Sequence, residues 1–196
     1  MNDIWSLFSR RPASSRRTAK RISPRLQLEA LEDRLAPAAH IGGSTFATIQ
    51  AAVNAANPGA VITVDPGVYN EAVTVNKSVT LEGAKHGTAG QSASRTGNSA
   101  TESVVGNGSV GFNVTASNVT IDGFTIAGAN DQSTGGFGVY IATNVSGTHV
   151  VDNIIQNNII GLGLSNTGVS QAVIQDNLFR TNNNAGPGAG TAIYSD

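Results

Sequence analysis

The sequence predicts an all-β solenoid, in which short strands wind into stacked coils behind one capping helix. Three observations carry this. First, the last third repeats itself. Residues 144–155 read NVSGTHVVDNII and residues 166–179 read NTGVSQAVIQDNLF. Each block follows a glycine-led apolar run, Gly138-Val139-Tyr140-Ile141 or the segment Gly161-Leu162-Gly163-Leu164, with a third copy opening at Gly190. The spacing is 22 residues between Asn144 and Asn166 and 24 between Asp152 and Asp176. Periods of this size mark stacked units, none of which buries its apolar face alone. Second, only 13% of residues are charged while 23 are glycine, which suits short packed strands and turns rather than surface helices. Third, β-branched runs of three to five residues recur between Gly, Pro, Asn and Asp along most of the chain.

The charge is divided. Residues 1–39 hold eight basic and four acidic side chains, and the remainder holds four basic against nine acidic. We therefore expect two parts: a disordered basic segment at 1–39 and a folded domain at 40–196. The folded part lacks a basic stripe to neutralise phosphates, so nucleic acid is not an expected partner. No cysteine is present, which excludes disulfides, thiolate metal sites and a cysteine nucleophile. The apolar cluster Ile4-Trp5-Ser6-Leu7-Phe8 is too short, and stands on the wrong side of the arginines, for a conventional signal peptide. No apolar run is long enough for a membrane span. Leu28, Glu29, Leu31, Glu32 and Arg34 resemble the Leu-Glu-x-Leu-Glu-x-Arg motif near the N-terminus of many planctomycete proteins presumed to be exported or surface-bound. Asp33 stands where proline is frequent. The resemblance implies an extracellular or cell-surface location.

Phe46, Ile49, Val53 and Ala56 are spaced like one face of a helix, with Ser44 or Thr45 as N-cap and Asn57-Pro58-Gly59 as its stop. Strands follow at 61–64, 68–69, 72–75 and 78–83. The stretch 46–84 is similar to the start of right-handed parallel β-helices of the pectin-lyase-like superfamily. The matching residues are Phe46, Ile49, Gln50, Ala52, Pro58-Gly59, Pro66-Gly67-Val68-Tyr69, Glu71 and Leu81-Glu82-Gly83. The resemblance implies a right-handed parallel β-helix whose leading end is plugged by an amphipathic helix.

Residues 84–103 have no apolar periodicity and read as a solvated loop. Loops of that kind line substrate clefts in the resembling proteins, so Lys85, His86 and Arg95 are candidate substrate-binding groups. Further strands are expected at 104–105, 110–114 and 119–126. Asp152 to Leu164 resembles the β-helix repeat N-x-I-x-x-N-x-x-G-I/L-x-L, through Asn153, Ile154 or Ile155, Asn157 or Asn158, Gly161, Leu162 and Leu164. In alignment, Gly123, Asn153 and Asn177 are expected to be equivalent, as are Phe124, Ile154 and Leu178. Asparagine tolerates left-handed corners and can hydrogen-bond its copy on the next coil.

Asp122, Asp152 and Asp176 admit two readings. They are corner masonry, or they are a column of carboxylates that could hold Ca²⁺. Pectate lyases of the resembling superfamily use calcium to bridge substrate carboxylates while a base removes a proton. That resemblance makes Arg180 the candidate base, with Lys77 and Lys85 behind it. Stacked like charges repel unless a metal is present, which favours masonry. No pectin-methylesterase motif, Ser-His-Asp order, zinc motif or phosphate loop occurs, and Asn-x-Ser/Thr sequons such as Asn113-Val114-Thr115 follow from composition. A copper-maturation role would need a supply of Met, His and Cys, and one Met and no Cys argue against it. The expected function is an exported, polysaccharide-associated repeat protein. It is either a lyase-like enzyme whose active coils are missing or degenerate, or a non-catalytic surface module binding glycan. The chain stops inside its last copy, which reads as a fragment.

Overall fold

The computed structural model describes residues 36–196. Residues 1–35, which hold the motif at 28–34 and all but the last four residues of the expected basic tail, lie outside the described residues. Ala38 and Ala39, expected in that tail, are buried against the folded part, because Ala39 begins the first strand.

The described chain opens with a hairpin: β1 (Ala39–Ile41) pairs antiparallel with β2 (Ser44–Phe46), setting Ala39 opposite Phe46. Helix α1 (Ile49–Ala55) follows and buries Ile49, Ala52 and Val53. This corrects the expected helix start. Ser44 and Thr45 are held extended by pairing with β1, so Thr48 is the N-cap, its hydroxyl accepting from the Ala51 amide at 3.0 Å. Glu71 supplies a second cap, taking the Ile49 and Gln50 amides at 2.9 and 3.0 Å. Lys77 closes the other end, donating to the Asn54 and Ala56 carbonyls.

Beyond the helix the chain deals strands to three sheets in rotation. The first rung is β3 (Val61–Val64), β4 (Gly67–Tyr69) and β5 (Val73–Val75). The second is β6 (Thr80–Glu82), β7 (Ser103–Val105) and β8 (Phe112–Val114). The third is β9 (Thr120–Asp122), β10 (Thr125–Ala127) and β11 (Phe137–Ile141). The fourth is β12 (His149–Val151), β13 (Ile154–Gln156) and β14 (Ile160–Leu164). The fifth is β15 (Val173–Gln175), β16 (Leu178–Arg180) and β17 (Thr191–Ser195). Each strand pairs in parallel with the strand three later, while β1 joins β3 antiparallel. The protein is therefore mostly β, with parallel sheets and a single short helix among the described residues. Gln50 helps α1 cover the start of the third sheet, exchanging hydrogen bonds with both Thr74 backbone groups.

This pairing puts like over like. The first sheet stacks Ile62, Leu81, Ile121, Val150 and Ile174. The second stacks Tyr69, Val105, Ile126, Ile155 and Phe179. The third stacks Val73, Phe112, Val139, Leu162 and Ile193, and beside them Val75, Val114, Ile141, Leu164 and Ser195. Nearly all members up to the fourth rung are buried in one core, to which Phe112 and Phe124 add an edge-on ring pair at 5.2 Å. Each fully buried Ile or Leu contributes roughly 1.5–3 kcal/mol.

The register corrects one expected alignment. Thr125 faces Ile154, and Ile154 faces Leu178, so Phe124 falls one residue earlier, level with Asn153 and Asn177. The corner position is then Gly123, Asp152 and Asp176, with φ of 75°, 56° and 54°. All three take the left-handed conformation, which explains why small or Asx residues recur there. In the fourth rung Ile155, not Ile154, points to the core.

Truncating Ile121, which is fully buried in the first-sheet column, should cost roughly 2–5 kcal/mol as Ile121→Ala. Val68→Ala, at a position 51% exposed, should change stability by no more than about 0.5 kcal/mol. Urea unfolding of both variants compares the two.

Candidate functional site

The repeat asparagines meet across the rungs. Asn153 is fully buried; its Oδ1 accepts from the Phe124 amide at 2.9 Å and its Nδ2 donates to the Ile121 and Val151 carbonyls. Asn177 repeats this one rung on, accepting from the Asn153 amide at 2.9 Å and donating to Val150. A second ladder runs along the next corner. Asn158 accepts from Ala129, and Asn182 accepts from Asn158 and donates to Ile155. Of the two asparagines read for that position, Asn157 makes the left-handed bend (φ 55°) and Asn158 makes the ladder. Asn182 was missed, because its copy of the repeat is interrupted after Arg180. Gly161 sits between rungs where an added Cβ would lie 2.5 Å from the Ala192 carbonyl oxygen.

The three aspartates are not level. Asp122 is the last residue of β9 and faces Val151, whereas Asp152 and Asp176 are corner residues one position on. The Gly87 amide donates to the Asp122 carboxylate at 3.0 Å. Burial raises the Asp152 pKa, and the charges of Asp122 and Asp176 raise it further. Among the described residues, no group of three or more His, Asp or Glu side chains is arranged to hold a metal ion.

Residues 84–102 do not protrude as a solvated loop. They lie back across the rungs at the first-to-second-sheet corner. The Lys85 amide bonds the Gly123 carbonyl and the Gly90 amide bonds Asp176. Gly123 and Gly90 are glycines because a Cβ would run into the His86 backbone and the Asn153 carbonyl, respectively. Arg95, expected at the surface, is 5% exposed. Its guanidinium pairs with Glu102 at 3.2 Å and donates to the carbonyls of Thr88, Asp152 and Phe124 at 2.7, 2.6 and 3.0 Å. Glu102 is itself fully buried and also accepts from Thr125 Oγ1 and the Thr96 and Gly97 amides. Burial pushes the Glu102 carboxyl up, but those donors and Arg95 outweigh it, so it ionises below its ordinary 4.5. This pair is a staple between rungs rather than a binding group. Sequence reading had no signal for it, since Arg95 and Glu102 stand in a stretch without periodicity. The same segment covers the outer face of the second sheet, which is why Ile154 is fully buried although it points away from the core.

The other expected groups are dispersed. Arg180 is exposed, and its guanidinium donates to Gln156 at 2.6 Å and to the Thr96 carbonyl at 3.4 Å. His86 is exposed, with Nδ1 3.0 Å from the Gly83 carbonyl. Lys85 is half-buried beside it.

A concavity lies elsewhere, on the outer face of the third sheet. It encloses about 560 Å³ and crosses β8, β11, β14 and β17. Phe137, Tyr140 and Tyr194 supply rings; Asn113, Ser165 and Asp196 supply polar groups, with Ser109 and Thr134 at one side. Register makes it: Asn113, Tyr140, Gly163 and Tyr194 are successive partners pointing outward. A Cβ at Gly163 would come within 2.6 Å of the Phe137 ring and 2.9 Å of the Tyr140 ring. The glycine therefore lets both rings approach the strand, where their centroids lie 5.2 Å apart and their planes are tilted by 41°. Tyr140 Oη lies 3.3 Å from Ser165 Oγ. Among the described residues no Lys or Arg lines this groove. Its size and its mix of rings and few polar groups match a ligand site.

No family model and no solved structure matches the chain. A cell surface glycoprotein of Methanothermus fervidus is 33% identical to it over 115 residues, 58% of this chain. The chain spans only 16% of that protein's length. Among the described residues no helix is long and apolar enough to cross a membrane.

Glu102→Gln should destabilise by roughly 3–5 kcal/mol, because Arg95 keeps its buried charge and loses the opposing one. Lys85→Ala should stay within about 0.5 kcal/mol. The depressed Glu102 pKa gives a stability contribution that is present above 4.5 and lost as pH falls below it. Denaturant melts across that range should show the gap between parent and Glu102→Gln closing on acidification.

Proposed function

We propose that this chain is a right-handed parallel β-helix displayed at the cell surface, whose third-sheet groove binds a neutral polysaccharide without cleaving it. The rotation of strands through three parallel sheets supports the solenoid, and parallel crossovers of this kind are right-handed in nearly all proteins. The segment at 28–34 supports export. The partial likeness to a cell surface glycoprotein supports the location.

The groove is the observation that carries the binding role. Aromatic rings beside hydroxyl and amide groups suit the apolar faces and hydroxyl rims of sugar rings. With no cation in the wall and Asp196 at one end, it disfavours uronate polymers. Support for β-elimination is lacking. Asp122, Asp152 and Asp176 are not among the groove residues, and Arg180 is engaged by Gln156 and Thr96.

Affinity electrophoresis through gels containing a neutral glucan or polygalacturonate tests this. The parent should be retarded by the neutral polymer, and Tyr140→Ala and Tyr194→Ala should each weaken binding by about tenfold, equivalent to ~1.4 kcal/mol. Equal retardation of parent and both variants would rule out the groove. Unsaturated product from polygalacturonate with added Ca²⁺ would restore the lyase reading in place of simple binding.

A further inference from the structure

The chain carries five Asn-x-Ser/Thr sequons, at Asn76, Asn107, Asn113, Asn118 and Asn144. Sequence cannot rank them, but the fold can. Each of four has a residue built into the structure. The Asn76 sequon contains Lys77, whose ammonium is tied to the Asn54 and Ala56 carbonyls. Asn113 lies inside β8, laddered to β5 and β11 on either side. In the Asn118 sequon, Val119 is fully buried and Thr120 begins β9. In the Asn144 sequon, Val145 is 3% exposed and the Asn144 amide oxygen lies 3.3 Å from the Thr167 hydroxyl.

Asn76 and Asn144 are exposed outside strands as well, so exposure alone does not rank the sites. Asn107 stands exposed in the connection between β7 and β8, where neither Gly108 nor Ser109 is buried or belongs to a strand. Its Oδ1 accepts from the Ser109 amide at 3.1 Å, closing an Asx turn. Gly108, at φ 92°, permits that bend, and its carbonyl is held from below by the Asn130 amide at 2.8 Å. The turn thus occupies the amide oxygen, and Nδ2 makes no hydrogen bond among the described residues. The Ser109 hydroxyl lies 3.5 Å from that of Thr134, a long and exposed contact.

We propose that Asn107 is the acceptor for N-linked glycosylation of the folded chain. The co-reactant is a polyprenyl-diphosphate-linked oligosaccharide. A bond forms between Asn107 Nδ2 and the anomeric carbon of the first sugar. The bond from that carbon to the diphosphate breaks, its electron pair leaving with the phosphate, and one Nδ2 proton passes to solvent through the transferase. Ser109 supplies the hydroxyl that such transferases require at the third position.

Purified full chain, folded or denatured, is incubated with an oligosaccharyltransferase and its polyprenyl-diphosphate oligosaccharide, after the transferase is shown to glycosylate a peptide spanning residues 105–111. Proteolysis and mass spectrometry then locate the adduct. The folded chain should gain one oligosaccharide mass, on the peptide containing Asn107, and Asn107→Gln should lose at least nine-tenths of it. The denatured chain should gain adducts at Asn113 or Asn118 as well. Modification of the folded chain at any other sequon with Asn107 bare would overturn the proposal. So would a folded chain left unmodified while the denatured chain reacts at Asn107. Neither outcome depends on whether the groove binds a polysaccharide.

Discussion

Parallel register between successive rungs is the constraint on which everything else here depends. Side chains alternate along a strand, so a slip of one residue would turn each inward column to solvent. The strands are mostly three residues long, too short to hold register through their own ladders. The corners do that work instead. Left-handed residues at Gly123, Asp152 and Asp176 fix where each strand ends. Asn153, Asn177, Asn158 and Asn182 then bolt the third, fourth and fifth rungs together through buried or half-buried amides that both donate and accept.

The same logic accounts for the insertion at 84–102. Opening a corner by this many residues risks leaving backbone groups without partners. Ser103 repairs part of this from the strand side, its hydroxyl donating to the Val64 and Asp65 carbonyls. Arg95 repairs the rest, spending its donors on carbonyls of the segment and of two neighbouring rungs. A guanidinium suits the task because it offers five donors in a fixed plane and stays charged, and Glu102 neutralises it. The outcome is an outer face of the second sheet covered by the inserted segment, with the outer face of the third sheet left open.

Open and closed faces therefore have different chemistry for a structural reason. On the second sheet, outward residues such as Thr125 and Ile154 are buried beneath the inserted segment. On the third, the outward column carries Asn113, Tyr140 and Tyr194 around Gly163, and nothing among the described residues lies over it. A glycine in extended backbone has no conformational excuse there. Its missing side chain is space that two aromatic rings use.

Repeat spacing, glycine-led apolar runs and low charge made an all-β, parallel-sheet architecture legible from sequence, because periodic burial leaves a periodic trace. The small and Asx residues at the corners were legible for the same reason. Local pattern could not say that Ser44 and Thr45 would be drawn into a hairpin, since the partner strand decides it. Nor could it align Phe124, whose place depends on which residue turns the corner. Arg95 read as a surface group and Glu102 went unread, because the pair acquires meaning only when a segment without periodicity folds back over distant rungs. The groove was invisible too: Asn113, Tyr140, Gly163 and Tyr194 are scattered along the chain and meet only through register. Sequence determined what recurs at a fixed interval, and tertiary structure decided what depends on neighbours brought together from different turns of the chain.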